Sequence, residues 1–503
     1  MVPKRWTEPG ALERAARRTP RAAAAAALIV GASAFALLRA QTLSPPRTVS
    51  IYAGTATAPA ATVSISPASA SVATGATVQF TATVSGTSNT SVAWSATGGT
   101  ITSSGTYTAG PQTGGYSVTA TLVGGSIAGT APVSILGGLT NSVPLLISGQ
   151  SGKVYSNLRI ISTSGDCVQI INSTNITIQN SDIGPCGTNN STVASRGIHI
   201  SGGSGINVYD NYIHVETLAS GCCDSHDGIL IDNGSTSDVI QGNVVAYGES
   251  NVEIQGTNVN GVSIIGNYLL NPRGPFPRGQ NVQVWGGSSS GFHSNITVQN
   301  NYTYSCTLAG AGVSCPAGGA TYLYPENQED SINFGHTNGF VVKGNYVVGG
   351  HSGSGCGLIA DESANNGQFL TNIVSNTGQC GIGIADGATQ TVDGNKVLNL
   401  TPVSGGGNTA IYVWKQYTPT CGPVTVSNNV ADELKTDMTT HSGYWNGGGC
   451  DPVTLTSNTF DRAANLLLNP MSATNPPPLI PPAPKNCVAV SPYTSQISLP
   501  RCY

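Results

Sequence analysis

From about Asp166 to Phe460 the chain repeats one motif about ten times. Each copy holds a short run of alternating apolar residues, a turn, a second such run and a closing Asn. The second runs span residues 206–211, 239–243, 262–267, 296–301, 340–345, 391–395, 424–429 and 453–458. The closing Asn recurs after 24 residues between Asn243 and Asn267, and after 23 between Asn372 and Asn395. Longer intervals, Asn267 to Asn301 and Asn301 to Asn345, hold the same unit with an insertion. A period in the low twenties built from strand-like runs specifies a stacked solenoid, because one coil cannot bury its apolar face alone.

Alternation of period two turns Val and Ile inward and Thr, Gln and Ser outward. Gly and Asn crowd the turns, where the chain bends sharply and often needs positive φ. A repeated corner Asn can stack into an internal ladder of side-chain amides. This pattern resembles the right-handed parallel β-helix of the pectate-lyase-like superfamily. The expected fold is therefore all-β, with a right-handed parallel β-helix over residues 137–465.

The flanks read differently. Arg14, Arg17, Arg18 and Arg21 precede an apolar run from Ala22 to Leu38, which is followed by Ala40. Residues 1–40 are expected to be a secretion signal, or a signal-anchor if uncleaved. Residues 41–60, rich in Pro, Thr and Ala, are expected to be a flexible linker. Residues 61–136 hold short alternating runs: 76–84, 92–94, 105–109 and 116–122, with Trp94 as the expected core aromatic. The order of Trp94, Gly98-Gly99-Thr100-Ile101 and Ser104-Gly105-Thr106-Tyr107 resembles a bacterial immunoglobulin-like domain of the group 2 type. That resemblance implies a β-sandwich spacer. Residues 466–503 are expected to be a Pro-rich tail with a terminal Cys loop, since Pro cannot continue a sheet.

Charge excludes one class of partner. Without residues 1–40 the chain has 13 basic and 22 acidic residues, so no basic surface for nucleic acid is expected. Charged residues make up only 9% of the chain, and polarity comes from Gly, Ser, Thr and Asn. This suits a secreted or cell-surface β protein of bacterial type, expected as a monomer, with membrane contact only through an uncleaved N-terminal segment.

Twelve cysteines in a chain with an export signal favour disulfides. In the aligned repeats Cys356 and Cys380 occupy the same position on successive coils, about 4.8 Å apart and within disulfide range. Proximity suggests Cys167–Cys186, Cys306–Cys315, Cys421–Cys450 and Cys487–Cys502. Cys222 and Cys223 remain: a vicinal disulfide, two free thiols, or a zinc site with His226.

The same alignment stacks Ile198, Ile229, Val252, Val282, Ile332, Leu358, Ile382 and Ile411 inward. Outward, one column holds Asp166, Arg196, Asp227, Gln280 and Asp330. A second holds His199, Leu230, Glu253, Gln283, Asn333, Ile359 and Tyr412. A third holds Asp232, Gln255, Trp285, Asp361 and Trp414. A long polar trough with aromatic platforms fits a polysaccharide. Its expected binding residues are His199, Glu253, Gln283, Trp285, Asn333 and Asp361.

Asp224-Ser225-His226-Asp227 resembles the Asp-Pro-His-Asp motif of β-helical alginate epimerases and related lyases, with Ser225 in place of Pro. The resemblance implies His226 as base, Asp224 or Asp227 as its neighbour, and Arg196 to neutralise a substrate carboxylate. Glu249, Glu253, Glu326, Glu329, Asp330, Asp361 and Glu362 are further candidates for hydrolytic acid and base. The polygalacturonase motifs are missing: there is no Asn-Thr-Asp and no Asp-Asp, and Gly335-His336 is followed by Thr337. Asp227, Asp232, Arg273 and Arg278 only scatter over the coils that a calcium-dependent lyase would use, so Ca2+ is a possible but not required cofactor. The expectation is a lyase, epimerase or hydrolase acting on a polysaccharide. Its rival is a non-catalytic glycan-binding, adhesin or structural surface protein.

Overall fold

The computed structural model describes residues 61–187, 193–215, 226–272, 279–286, 292–305, 328–350, 352–417 and 420–468, with the backbone of strands Cys487–Val490 and Leu499–Cys502. The expected leader, the linker, Asp224, Cys222, Cys223, Arg273, Arg278, Cys306, Cys315 and Glu326 lie outside the described residues.

Residues from Thr140 onward wind into a right-handed parallel β-helix with three strands per coil. Sheet 1 has 11 strands, from Leu145–Ser148 to Tyr444–Gly448. Sheet 2 has 11, from Val154–Ser156 to Val453–Thr456, and sheet 3 has 12, from Thr140–Ser142 to Thr459–Phe460. Strands pair only with the equivalent strand one coil away, in parallel. Ile198, Ile229, Val252, Val282, Ile332, Leu358, Ile382 and Ile411 are fully buried and stacked in register, as the repeat requires.

The corner between sheets 2 and 3 carries the ladder. Asn211, Asn243, Asn267, Asn301, Asn345, Asn372, Asn395, Asn429 and Asn458 stand one above another. Each Nδ2 donates to the Oδ1 of the next Asn, at 2.9–3.0 Å. Each Oδ1 also accepts the backbone N–H of the Asn before it, for example Asn267 N to Asn301 Oδ1 at 2.9 Å. The residue before each ladder Asn is left-handed: Asp210, Gly242, Gly266, Asn300, Gly344, Thr371, Gly394, Asn428 and Ser457 all have φ between 53° and 70°. Gly, Asn and Asp tolerate that conformation, which explains the Gly-Asn and Asn-Asn dipeptides.

Several expectations need correction. The repeat has a third strand after the ladder Asn, which the sequence pattern hid. In that strand the outward positions are apolar too: Tyr268, Tyr302 and Tyr346 stack at 5.7 and 5.5 Å outside sheet 3 and are buried. Alternation, the usual strand signal, is therefore absent there. The run 76–84 is two strands, Thr77–Gln79 and Thr81–Ser85, in different sheets. They meet at Phe80, which is fully buried. In residues 62–136 the buried aromatics are Phe80 and Tyr107, and Trp94 is only partly buried at the edge of their cluster. This unit has its own core and its own strands, mostly antiparallel. Residues 466–468 are not extended: a helix, Arg462–Leu468, folds across the last coils and buries Leu468 with Leu398.

Disulfides Cys167–Cys186, Cys356–Cys380 and Cys421–Cys450 are formed, with Cα–Cα distances of 5.4, 4.6 and 4.4 Å. They fit an oxidising compartment. The backbone of Cys487 lies opposite that of Cys502 in an antiparallel pair. Among the described residues no helix is long and apolar enough to cross a membrane.

The ladder is expected to carry stability. Asn301→Ala removes the acceptor of the Asn267 N–H and of one of its two Nδ2 hydrogens, the other still bonding the Ile240 carbonyl, and should cost about 2–4 kcal/mol. Thr425→Ala, on the exposed face of sheet 2, should stay within about 0.5 kcal/mol. Equilibrium urea denaturation of both variants checks the difference.

Candidate functional site

The outer face of sheet 1 is where the ionisable side chains gather. Register places one outward column across the whole sheet: Leu146, Gln169, His199, Leu230, Glu253, Gln283, Asn333, Ile359, Gly383, Tyr412 and Trp445. The face is not the open surface that alternation alone suggests. Leu230, Glu253, Asn333, Ile359 and Tyr412 are all buried despite pointing outward. The two ends are open: Leu146 is 66% exposed and Trp445 40%.

Two groups of ionisable residues lie on this face. The first is centred on Arg196 and His199. Arg196 Nη1 lies 3.6 Å from Asp166 Oδ1, and its Nε lies 3.9 Å from Asp227 Oδ2. His199 Nδ1 is 3.4 Å from Asp166 and its Nε2 is 3.0 Å from Asp232. Burial opposes the imidazolium. The hydrogen bonds to Asp166 and Asp232, with the Asp232 charge, outweigh it and push His199 up to about 9. Asp227 is held well above the usual carboxylate range, first by burial and then by the charge and hydrogen bond of Glu253. A depression of about 480 Å³, lined by Leu145, Leu146, Asp166, Gln169, Val193 and Arg196 among others, opens beside this group.

The second group comprises Glu329, Asp330, Asn333, Asp361, Tyr412 and Tyr417. Asn333 Nδ2 donates to Asp330 Oδ2 at 2.9 Å and to Asp361 Oδ2 at 3.3 Å, so the two carboxyls can be no further apart than these bonds laid end to end. The Cys356 N–H donates to Asp330 Oδ1 at 2.7 Å. Tyr417 hydrogen-bonds Asp361, and Gln416 Nε2 donates to the Tyr412 hydroxyl at 2.9 Å. Burial and the mutual repulsion of the acids push Glu329 and Asp330 well up. Asp361 also rises through burial, against the opposing bonds from Asn333 and Tyr417. Among the described residues no Lys or Arg forms an ion pair with any of these three carboxyls. Asp330 is buried, while Glu329 and Asp361 are partly open to solvent.

Gln283 joins the groups. Ser250 N–H donates to Asp227 Oδ1 at 3.3 Å, and Ser250 Oγ donates to Gln283 Oε1 at 3.2 Å, on the rung before Asn333. The strands bearing Glu253 and Asn333 are two rungs apart. Gln283 thus bridges the two groups, and beyond Asn333 the same column turns apolar at Ile359 and Gly383.

The proposed site residues therefore have different settings. Asp227, Arg196, His199 and Glu253 come together, and so do Asn333 and Asp361. His226 is 1% exposed and its carbonyl accepts the Glu249 N–H at 2.9 Å. Trp285 packs edge-on to His336, with ring centroids 5.3 Å apart. Tyr417 and Trp445 were not singled out by sequence reasoning. The dense aromatic run Tyr412-Val413-Trp414-Lys415-Gln416-Tyr417 was the available signal for the first. Among the described residues no group of three or more His, Cys, Asp or Glu is placed to hold a metal ion, so calcium gains no ligand set there.

No family model and no curated protein matches the chain. Solved structures similar to it include the DFA-IIIase of Arthrobacter chlorophenolicus A6, at 14% identity over 52% of this chain and 56% of that one, with a TM-score of 0.34. A periplasmic alginate epimerase, AlgG, matches at 12% identity over 63% of this chain and 61% of that one, TM-score 0.33. A polygalacturonase from Erwinia carotovora matches at 11% over 64% and 86%, TM-score 0.31. The chain thus spans 56% and 61% of the length of the first two. Likeness this distant leaves the reaction to the side chains themselves.

His199 supplies a test of the first group. Its folded value is raised above the ordinary histidine value of about 6.5. Its stabilisation is therefore complete below about pH 6.5 and is lost as pH rises through about 9. Melting temperature should fall over that window in the parent protein. His199→Gln should flatten the fall, and the difference between the two melting curves measures it.

Proposed function

We propose that the chain is an exported enzyme that hydrolyses a polysaccharide lying along the outer face of sheet 1, with Glu329 and Asp361 as its acid and base. The supporting observation is the carboxyl group of three: Asp330 and Asp361 joined by Asn333, with Glu329 close enough to feel the charge of both, and all free of basic ion-pair partners among the described residues. Glycoside hydrolysis needs one carboxyl that keeps its proton and one that is ionised. Burial and like charge push Glu329 up to about 9 here and supply the protonated member. Glu329, partly open and strongly raised, gives its proton to the leaving glycosidic oxygen. Asp361, raised by burial against the bonds from Asn333 and Tyr417 that hold its charged form, takes a proton from the water that attacks the anomeric carbon. Asp330 is buried between them and fixed by the Cys356 N–H and Asn333, so it positions rather than reacts.

Asp227, Glu253 and Gln283 extend the polar strip and would hold sugar hydroxyls on one side of the cleaved bond. Arg196 already faces two carboxyls, which leaves less of its charge for a substrate carboxylate and makes the lyase or epimerase reading the second one. The module at 61–136 is read as an immunoglobulin-like spacer that carries the solenoid away from its attachment point.

Glu329→Gln and Asp361→Asn should each lower turnover by roughly 10²–10⁴-fold, the usual scale for acid–base groups. The assay is a panel of glycans read both by new reducing ends and by the absorbance of unsaturated products. Reducing ends without unsaturated products, lost in both variants, support hydrolysis. Unsaturated products that vanish in His226→Ala would move the chemistry to the epimerase-like motif. No turnover on any glycan, with binding retained, would make the protein a non-catalytic binder. Activity should also fall at high pH as Glu329 loses its proton, because its raised value sets the alkaline limb.

A further inference from the structure

We infer that the substrate is an uncharged polysaccharide, and that its chain runs from the carboxyl group, past the buried Tyr412, to an indole platform at Trp445. This rests on the hydrolase reading for its starting point, but its observations are separate. Register places Ile359, Gly383, Tyr412 and Trp445 in one line beyond Asn333, on successive rungs. Three rungs separate the strand of Asp361 from that of Trp445, about 14 Å at the usual inter-strand spacing. That is the reach of a few sugar residues.

The side chains beneath this stretch are apolar and buried, so the exposed contact lies at its end. Ile359 and Tyr412 are buried in a cluster with the Cys356–Cys380 disulfide, against which Trp414 packs. A Cβ at Gly383 would lie 2.7 Å from the Tyr412 ring and 2.9 Å from Cys356 Sγ, so only glycine lets the ring lie flat along the face. At its end Trp445 is 40% exposed and edge-on to Trp414, with ring centroids 5.8 Å apart. A Cβ at Gly447 would come within 2.5 Å of both indoles, so this glycine keeps the two rings close. A large exposed aromatic at the open end of a polar strip is suited to stack on the C–H face of a pyranose ring.

Charge selects the kind of polymer. The reacting end of the line holds three carboxyls with no basic ion-pair partner among the described residues. Arg196 and His199 lie at the far side of the strip and face carboxyls there. A polyuronate threaded through this centre would set its carboxylates against the ionised Asp361 with no cation of the group to pair with, a penalty that an uncharged glycan avoids. The line toward Trp445 offers apolar surface and Lys415 beside Gly449, not an array of cations.

Affinity electrophoresis of the full chain tests this, with a soluble β-glucan, a galactomannan, polygalacturonate and alginate in the gel at equal ionic strength. At least one of the two neutral polymers should retard the protein, and the two polyuronates should not. Trp445→Ala should weaken that retardation roughly five- to tenfold, while Trp445→Phe retains most of it. The same gels set beside the turnover assay on the parent separate this inference from the hydrolase reading. If a neutral polymer retards the parent and the parent shows no turnover, the platform stands and the hydrolase reading falls. Retardation by the polyuronates alone overturns the inference, as does a Trp445→Ala protein that melts and migrates like the parent in every gel.

Discussion

Everything on this molecule's surface depends on the register held by its amide ladder. Parallel strands alone slip easily, because a backbone ladder is indifferent to which residue sits opposite which. A buried Asn is not indifferent. Its Nδ2 and Oδ1 each need partners in a corner that excludes water, and the Asn of the adjacent coil, with backbone groups beside it, supplies them. The bonds are the same length whether the intervening chain is 24 residues, from Asn243 to Asn267, or 44, from Asn301 to Asn345. Longer intervals between ladder Asn residues therefore leave the register unshifted, in keeping with the weak dependence of closure entropy on loop length. The longest, from Asn301 to Asn345, contains Gln328, Glu329 and Asp330.

A fixed register makes a composite site possible. Asp227, Glu253, Asp330 and Asp361 are far apart in sequence, yet each stands on sheet 1 one or two rungs from the next. No single repeat contains a catalytic motif, since each contributes one or two side chains. This also explains why short-motif reading was weak here. The motif Asp224-Ser225-His226-Asp227 is contiguous and conspicuous, but its His226 is buried at a corner, and Asp227 takes part through Glu253 on the next coil.

The solenoid itself was legible because its two constraints, inward aliphatics at period two and a corner Asn at the coil period, act on every copy. The pairing of Cys356 with Cys380 followed from the same register. What sequence could not reveal was burial on the outer face. Leu230, Ile359 and Tyr412 obey the alternation rule for outward residues, and so read as exposed. The third strand was hidden for the same reason, since Tyr268, Tyr302 and Tyr346 break the polar half of the pattern. Asn333 and Asp361 were picked out as substrate contacts from their columns. Their relation to Asp330, through one shared Nδ2, needs coordinates to be seen.

Holding three carboxyls together at reduced solvation is destabilising, and the fold has to absorb that. Only 9% of the chain is charged, so the acids of sheet 1 are a concentrated exception. The first group meets the cost with cations: Arg196 and His199 stand against Asp166, Asp227 and Asp232. The second group has none among the described residues and meets it in part by keeping the proton of Glu329, which is the state a general acid requires. Such a centre is tolerable only on a scaffold whose stability lies elsewhere. Here the ladder and the stacked aliphatics continue for several coils on either side, and the core beneath the acids is reinforced by Phe334 and Phe340, stacked 4.2 Å apart, with Phe369 edge-on to Phe340. Placing the unpaired acids over the aromatic part of the core, rather than near either end of the solenoid, keeps the strain where fraying is least.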